Sequence, residues 1–390
     1  MIFNNRCLIG FPWFCPARPP GHPAMVEARR MVRRTFGRDY PWFYRKLAQL
    51  ITMIVWPPAM LLHCWQIRRS RGAAAVPSQH LFGAILAALR HNILPGEYYA
   101  YQLWKRDRQV DIDNYLYSRE ASRLFKILNR PQPSDTIADK LTFYEMCRAR
   151  ALPTPAVLAV LTPAGELIKF DTGLPLEQDL FIKPRLGRSG EQAERFRWLQ
   201  GAFRSDRNYS LRTDELQRHL TIRARNEKVS LLVQPVLLNH PDLKLDTSAA
   251  LATARLVTGR LTDGRVVPIF SFIYFASSKK ITSQHGYVAL VDIATGDLLS
   301  LPRTFFGQGL SDYPSKLPDW ASAVAFVQAA HDACPDYVFI GWDIAFTNRG
   351  PMLLEGNEGW VADEYQAIRG EPLGSTEFVN VLKDHLGQCD

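Results

Sequence analysis

The sequence predicts an α+β protein: a mainly helical, basic N-terminal region followed by a body of mostly antiparallel sheet. Three observations predict it. Before residue 130 apolar residues recur at helical spacing, as in LFGAILAALRHNI (81–93) and SREASRLFKILNR (118–130). From residue 156 short β-branched and aromatic runs are separated by turns bearing Gly and Asp. Charge divides at the same place, with +13 on residues 1–150 and −4 on the rest.

The 390 residues are read as four segments: a flexible, Pro- and aromatic-rich N-terminus (1–24), the basic helical region (25–133), and two α+β lobes (134–235 and 236–390). At 47% apolar and 22% charged residues, a disordered chain, a collagen-like repeat and a coiled-coil rod are excluded. The six cysteines are dispersed, with no CxxC pair. That spacing gives no zinc ribbon, thioredoxin-like motif or disulfide framework, and a reducing cytoplasm is the simplest location.

Residues 25–46 carry Arg29, Arg30, Arg33, Arg34, Arg38, Arg45 and Lys46. The next stretch, 47–65, contains no Asp, Glu, Lys or Arg, and Arg68, Arg69 and Arg71 follow it. Three readings stay open for 47–65. Its length approaches a membrane span, although Pro57-Pro58, Gln49 and His63 count against one. Trp56 and Trp65 with flanking arginines suit an interfacial helix pair on anionic lipid, at the inner face of the membrane. A helix packed on the protein's own core is the third.

Further along, Ser134-Asp135 opens a helix that closes at Leu152-Pro153-Thr154-Pro155. A hairpin turns at Pro163-Ala164-Gly165, DLFIKPRL (179–186) runs into a loop with Gly187, Ser189 and Gly190, and SLLVQPVLL (230–238) is a strand. Asp263-Gly264 joins two strands, residues 287–301 and 339–357 each read strand–turn–strand, and 320–334 is a helix between them.

The last hairpin carries the strongest chemistry. Asp343 on the first strand faces Glu355 on the second, and Glu355 and Asn357, two apart, share one face. Three oxygen donors then converge, a set that suits hard Mg²⁺. Two solvated surface acids are the alternative. The apolar flanks Ile340, Trp342, Ile344, Leu353 and Leu354 oppose it, because an unpaired acid on a half-buried strand is costly. Lys183 ends an apolar strand before a glycine-bearing loop, an arrangement that can cradle phosphate. Lys140, read alone, is an exposed helix lysine.

Taken together these pieces resemble the ATP-grasp superfamily over about residues 135–365. The resemblance rests on Asp139-Lys140 before Leu152-Pro153-Thr154-Pro155, Lys183 before its loop, Leu232-Val233-Gln234-Pro235-Val236 as a hinge strand, Arg255 in Thr253–Thr258, and Asp343 with Glu355-Gly356-Asn357. The stretches Gln234–Pro241 and Gly341-Trp342-Asp343 are similar to its sugar-transfer-associated branch. Two departures are a glycine-poor phosphate loop, GRSGEQAERF, and Ile281–Tyr287 where the branch tends to carry Asn and Gly-Gly.

The resemblance implies two α+β lobes clamping ATP and an ATP- and Mg²⁺-dependent, carboxylate–amine-like ligase. A carboxylate would be activated as an acylphosphate for attack by an amine or other nucleophile, in polysaccharide, cell-envelope or related biosynthesis. It implies Lys140 and Lys183 on the phosphates, and Gln234 and Val236 at adenine. Asp242 is a candidate for the ribose, and Arg255 for the γ-phosphate and tetrahedral species. Asp343, Glu355 and Asn357 would hold metal. The alternative is a catalytically weak nucleotide-binding, membrane-associated adaptor or regulator. Expected partners are a carboxylate, a nucleophilic acceptor and an anionic membrane surface met by 25–71. Trp104-Lys105-Arg106 interleaves aromatic and basic residues, but no nucleic-acid-binding motif accompanies it.

Overall fold

The computed structural model describes residues 21–35, 41–71, 77–91, 93–129, 137–169, 177–187, 192–207, 209–245, 250–276, 286–304, 309–360 and 362–387. The sequence-based readings at 1–20, 131–135, Ser189-Gly190 and 281–285 lie outside these residues.

The N-terminal helices are α1 (Pro23–Thr35), α2 (Trp42–Arg71), α3 (Leu81–His91), α4 (Pro95–Ala100), α5 (Arg106–Val110) and α6 (Ser118–Leu128). Helix α7 (Lys140–Ala149) leads into β1 (Ala159–Leu161), β2 (Leu167–Lys169), β3 (Leu180–Pro184), β4 (Glu194–Leu199), β5 (Ala202–Ser205) and β6 (Ser210–Leu211). Helix α8 (Thr213–Glu227) and β7 (Leu231–Pro235) follow, then β8 (Thr253–Arg260), β9 (Val266–Phe275) and β10 (Tyr287–Val291). Helix α9 (Trp320–Asp332), β11 (Phe339–Thr347), β12 (Gly350–Asn357), α10 (Asp363–Arg369) and α11 (Phe378–Leu386) complete the series. The chain divides into two units, one of residues 1–130, 259–269 and 359–390, the other of 131–258 and 270–358.

The first unit is helical. Helix α2 continues through Pro57-Pro58, and its Trp56, Met60, Cys64 and Ile67 are buried in clusters with residues of α3 and α4. No helix among the described residues is long and apolar enough to cross a membrane. Arg29 of α1 is buried: its Nε donates to Glu120 at 2.9 Å, its guanidinium also donates to the carbonyls of Tyr115 (2.6 Å) and Asp113, and the Asp113 carboxylate lies 3.7 Å away. One N-terminal arginine is thus structural, not a surface charge. The C-terminal helices join this unit through buried Gln366, which accepts from the Leu116 amide and donates to the Leu116 carbonyl, both at 2.9 Å.

The second unit holds two antiparallel sheets, apart from the ends of β8 and β9 and their turn within 259–269, in the orders β2-β1-β7-β3-β4-β5-β6 and β10-β9-β8-β11-β12. Helix α8 packs on the first, α9 on β11 and β12, and α7 on β12. The hairpins at Gly165 and Gly264 turn with φ of 90° and 91°, a region that glycine enters without a Cβ penalty. Strands β4–β6 and helix α8 are absent from the sequence-based reading, and β4 begins inside the segment read as a phosphate loop. The period is hidden there because an inward position of β4 is Glu194, buried against Arg223 at 3.3 Å. After β10 the expected second strand is reduced to a bridge between Val291 and Leu298.

Candidate active site

The β11–β12 register pairs Asp343 directly with Glu355 and Gly341 with Asn357, and it shifts between Asp343 and Ile344. The hairpin pairing read from the sequence is the pairing observed. The irregularity follows the acidic pair, a position where bulges commonly re-aim side chains. Gly356 between the two β12 donors sits in a tightly packed place. A Cβ there would lie 3.0 Å from Ile137 Cγ2 and 3.2 Å from the Trp342 ring.

Alternation sorts the two faces of this sheet. On one face Trp342 donates from Nε1 to Thr258 Oγ1 at 2.8 Å, and the same hydroxyl meets His331 Nδ1 of α9 at 2.7 Å. These bonds fix β11 against β8 and α9. On the other face Arg255 of β8 grips Asp343 with two bonds, Nε to Oδ1 and a terminal nitrogen to Oδ2 at 3.0 Å. The Asn357 amide nitrogen lies 3.4 Å from both Asp343 Oδ2 and Glu355 Oε1. Burial pushes the Asp343 carboxyl up; Arg255 pulls it back down, and Glu355 adds to the push.

The lysines arrive from the other sheet and from α7. Asp139 caps α7, accepting from the amides of Leu141 (2.9 Å) and Thr142 (3.4 Å). The same carboxylate accepts from Arg185 Nε at 2.8 Å, which ties the start of α7 to the end of β3. Lys140, the first residue of α7, is thereby carried to β3, and its Nζ donates to the Gly187 carbonyl at 2.7 Å. Lys183 sits on β3 opposite Leu232 of β7. Burial lowers Lys183 to about 8; Glu355 raises it, and the like charge of Lys140 lowers it further. Lys140 is lowered by burial and raised by Glu355. The Leu152–Pro155 segment closes the same region, with Leu353 N donating to Pro153 O at 2.8 Å and Thr154 Oγ1 to Leu353 O at 2.9 Å.

The structure thus brings together Lys140, Lys183 and Glu355, and joins Glu355 to Asp343, Asn357 and Arg255. Gln234 lies in β7, paired with Phe181, and its side-chain amide donates to the Pro155 carbonyl at 3.2 Å. The Val236 amide donates to the Asp179 carbonyl at 3.0 Å, so it is committed to the protein. Asp242 is exposed beside His240, in a segment that bridges at Asn239 to Thr347, the turn end of the β11–β12 hairpin. No contact joins it to Asp343 or Glu355 among the described residues. Arg185 is the site-shaping residue that the sequence-based reading passed over; its signal was its place two residues after Lys183.

The acidic set suits a hard divalent cation. It offers two carboxylates and an amide, and burial, with a smaller push from Glu355, raises Asp343 in spite of its arginine. Among the described residues no group of three His, Cys, Asp or Glu could hold a metal, so a three-donor set here needs Asn357.

A family model described as sugar-transfer associated ATP-grasp matches residues 119–377. The chain belongs to this family. Comparison with curated proteins gave no match. Among solved structures, D-alanine–D-alanine ligase from Bacillus anthracis is 14% identical, covering 66% of this chain and 69% of that chain at a TM-score of 0.38. D-alanyl-alanine synthetase A from Vibrio cholerae is 12% identical, covering 66% and 68% at 0.38. L-amino acid ligase from Bacillus licheniformis is 12% identical, covering 74% and 60% at 0.39. Membership of this ATP-grasp family supports ATP binding and ATP-dependent ligation in general terms.

Proposed function

We propose that this ATP-grasp protein is a ligase that activates a carboxylate with ATP and passes the acyl group to an amine or other nucleophile, in polysaccharide or cell-envelope biosynthesis. One observation supports it most: the charge of Glu355, which pairs with Asp343, reaches two lysines from different elements and raises both. Two ammonium groups against one carboxylate leave positive charge in a half-buried place, and a polyphosphate would balance it.

In this reading Lys140 and Lys183 hold the phosphate chain, and the end of β7 around Gln234 and Val236 lies beside the base, which groups other than the committed Val236 amide would meet. Asp343, Glu355 and Asn357 would hold Mg²⁺, which when bound neutralises the phosphate oxygens. Arg255 keeps Asp343 ionised and aimed, and its charge is available to the anionic reacting centre. The substrate carboxylate oxygen attacks the γ-phosphorus and ADP departs; the nucleophile then attacks the acyl carbon and inorganic phosphate departs. The family's association with sugar transfer supports the envelope setting.

The test is ADP release from ATP and Mg²⁺ across a panel of metabolite carboxylates and amines. Glu355→Gln keeps the size of the side chain and removes its charge. It is expected to lower turnover by about a hundredfold or more while the melting temperature stays near wild type. Turnover near wild type in Glu355→Gln would overturn the site, and failure of the wild type to bind ATP would overturn the reading as a whole.

A further inference from the structure

Helix α2 has two apolar faces, and only one of them is used by the fold. Trp56, Met60, Cys64 and Ile67 point inward and are buried. Leu47, Leu50, Ile54, Leu61 and Trp65 point outward, with Ile54 70% and Trp65 54% exposed. Their spacing of three, four and, between Ile54 and Leu61, seven residues aligns them in one stripe. At 1.5 Å per residue the stripe from Leu47 to Trp65 is about 27 Å long. A single exposed leucine needs no explanation, but a stripe of this length marks an interaction surface.

The charge around the stripe selects the occupant. No Asp or Glu occurs between Asp39 and Glu97. The sequence of α2 carries Arg45 and Lys46 within its first five residues and Arg68, Arg69 and Arg71 within its last four, so both ends are basic. Arg68 and Arg69 are exposed and follow the stripe by three and four residues, and the Arg69 guanidinium lies 5.3 Å from the Trp65 ring centroid. A second copy docked on the stripe would bring basic ends together in either orientation, with no acid on the helix to pair them. An anionic bilayer supplies both an apolar layer for the stripe and negative charge for both ends. Since no described helix is long and apolar enough to cross a membrane, the mode is interfacial.

We infer that the outward face of α2 is a membrane-docking surface, which lies in the interface of an anionic lipid bilayer with its stripe among the acyl chains and its terminal arginines at the headgroups. The inference rests on α2 alone and is independent of the ligase reading.

The experiment is co-sedimentation of the full chain with phosphatidylcholine vesicles with and without phosphatidylglycerol, at low and high salt. Binding is expected with phosphatidylglycerol at low salt, weaker with phosphatidylcholine alone, and reduced by salt. Ile54→Glu, at an exposed position that leaves the buried face intact, is expected to reduce binding at least tenfold; the milder Ile54→Gln should fall between it and wild type. Arg68→Gln with Arg69→Gln is expected to weaken binding by roughly fivefold per residue at low salt only. Circular dichroism of each variant guards against misfolding. Absence of binding to phosphatidylglycerol vesicles at low salt would overturn the proposal, as would unchanged binding in a folded Ile54→Glu. So would a concentration-dependent dimer that Ile54→Glu dissolves while the wild type ignores vesicles, which would make the stripe a contact between copies.

Discussion

Buried acids occur in both units and are treated in opposite ways. In the helical unit Glu97 accepts from the amides of Leu94 (3.2 Å) and Ser118 (2.8 Å), while Asp363 accepts from the hydroxyls of Tyr101 (2.5 Å) and Ser118 (2.9 Å). In the sheet unit Asp343 and Glu355 face Arg255, Lys140 and Lys183. The first pair is bonded to neutral donors that hold chain segments together, and needs no further ligand. The second is outnumbered by cations, an imbalance that the proposed function assigns to an incoming anion. In these two pairs, satisfaction by neutral donors goes with architecture, whereas an excess of cations over acids goes with the candidate site.

The largest expected effect tests the architectural side. Arg29 is a buried cation whose partners, Glu120, Asp113 and two carbonyls, are all in its own unit. Burial works against its charge, but Glu120 together with Tyr117 and Asp113 more than restores it. Arg29→Met strands those acceptors and is expected to cost about 3–5 kcal/mol in urea unfolding. ATP affinity of the remaining folded protein should not change. A loss of affinity in folded Arg29→Met would break the division between the two kinds of buried charge.

Next in size is a pH effect at Glu97. Burial raises its carboxyl to about 7, with Asp363 adding to the push against the pull of the Ser118 and Leu94 amides. Between the ordinary glutamate value and about 7 the folded state keeps a proton that the unfolded state has lost. Stability from this group is therefore greatest at low pH and declines as pH rises through that window, by an amount on the order of 3 kcal/mol, and is flat above it. Melting temperature followed from pH 4 to 8 should show this slope, and Glu97→Gln should flatten it. An unchanged slope in Glu97→Gln would place the proton elsewhere.

What could be read in the sequence follows from how local each feature is. Asp343, Glu355 and Asn357 share one hairpin, so the alternation of a single strand pair placed them. Helices α3, α6 and α9 announced themselves by period. Strand β4 did not, because its buried Glu194 depends on Arg223 from a helix 29 residues away. The Asp139–Arg185 bond, which brings Lys140 to β3, spans 46 residues and leaves no periodic trace. The run at 47–65 was legible as apolar and flanked by arginine. That one face packs and the other does not is a matter of where α3 and α4 lie, and no local pattern encodes it.

The smallest effect separates the two kinds of charge most sharply, because one substitution should move stability and binding in opposite directions. Lys183 is half-buried on β3, and burial together with the like charge of Lys140 lowers it to about 8 even though Glu355 pulls the other way. A charge held below its ordinary value is a cost to the folded state, borne for what it binds. Lys183→Met keeps the length of the side chain and its apolar packing but removes the ammonium group. Without nucleotide the variant should be as stable as wild type or more so, because desolvation of that group no longer opposes folding. With ATP its affinity should fall by about tenfold in titration calorimetry, since the proposed function makes Lys183 one of two phosphate cations. Arg29→Met shows the architectural pattern, less stable with binding intact, and Lys183→Met should show the reverse. A Lys183→Met protein that is destabilised and binds ATP as tightly as wild type would move Lys183 from the site to the architecture.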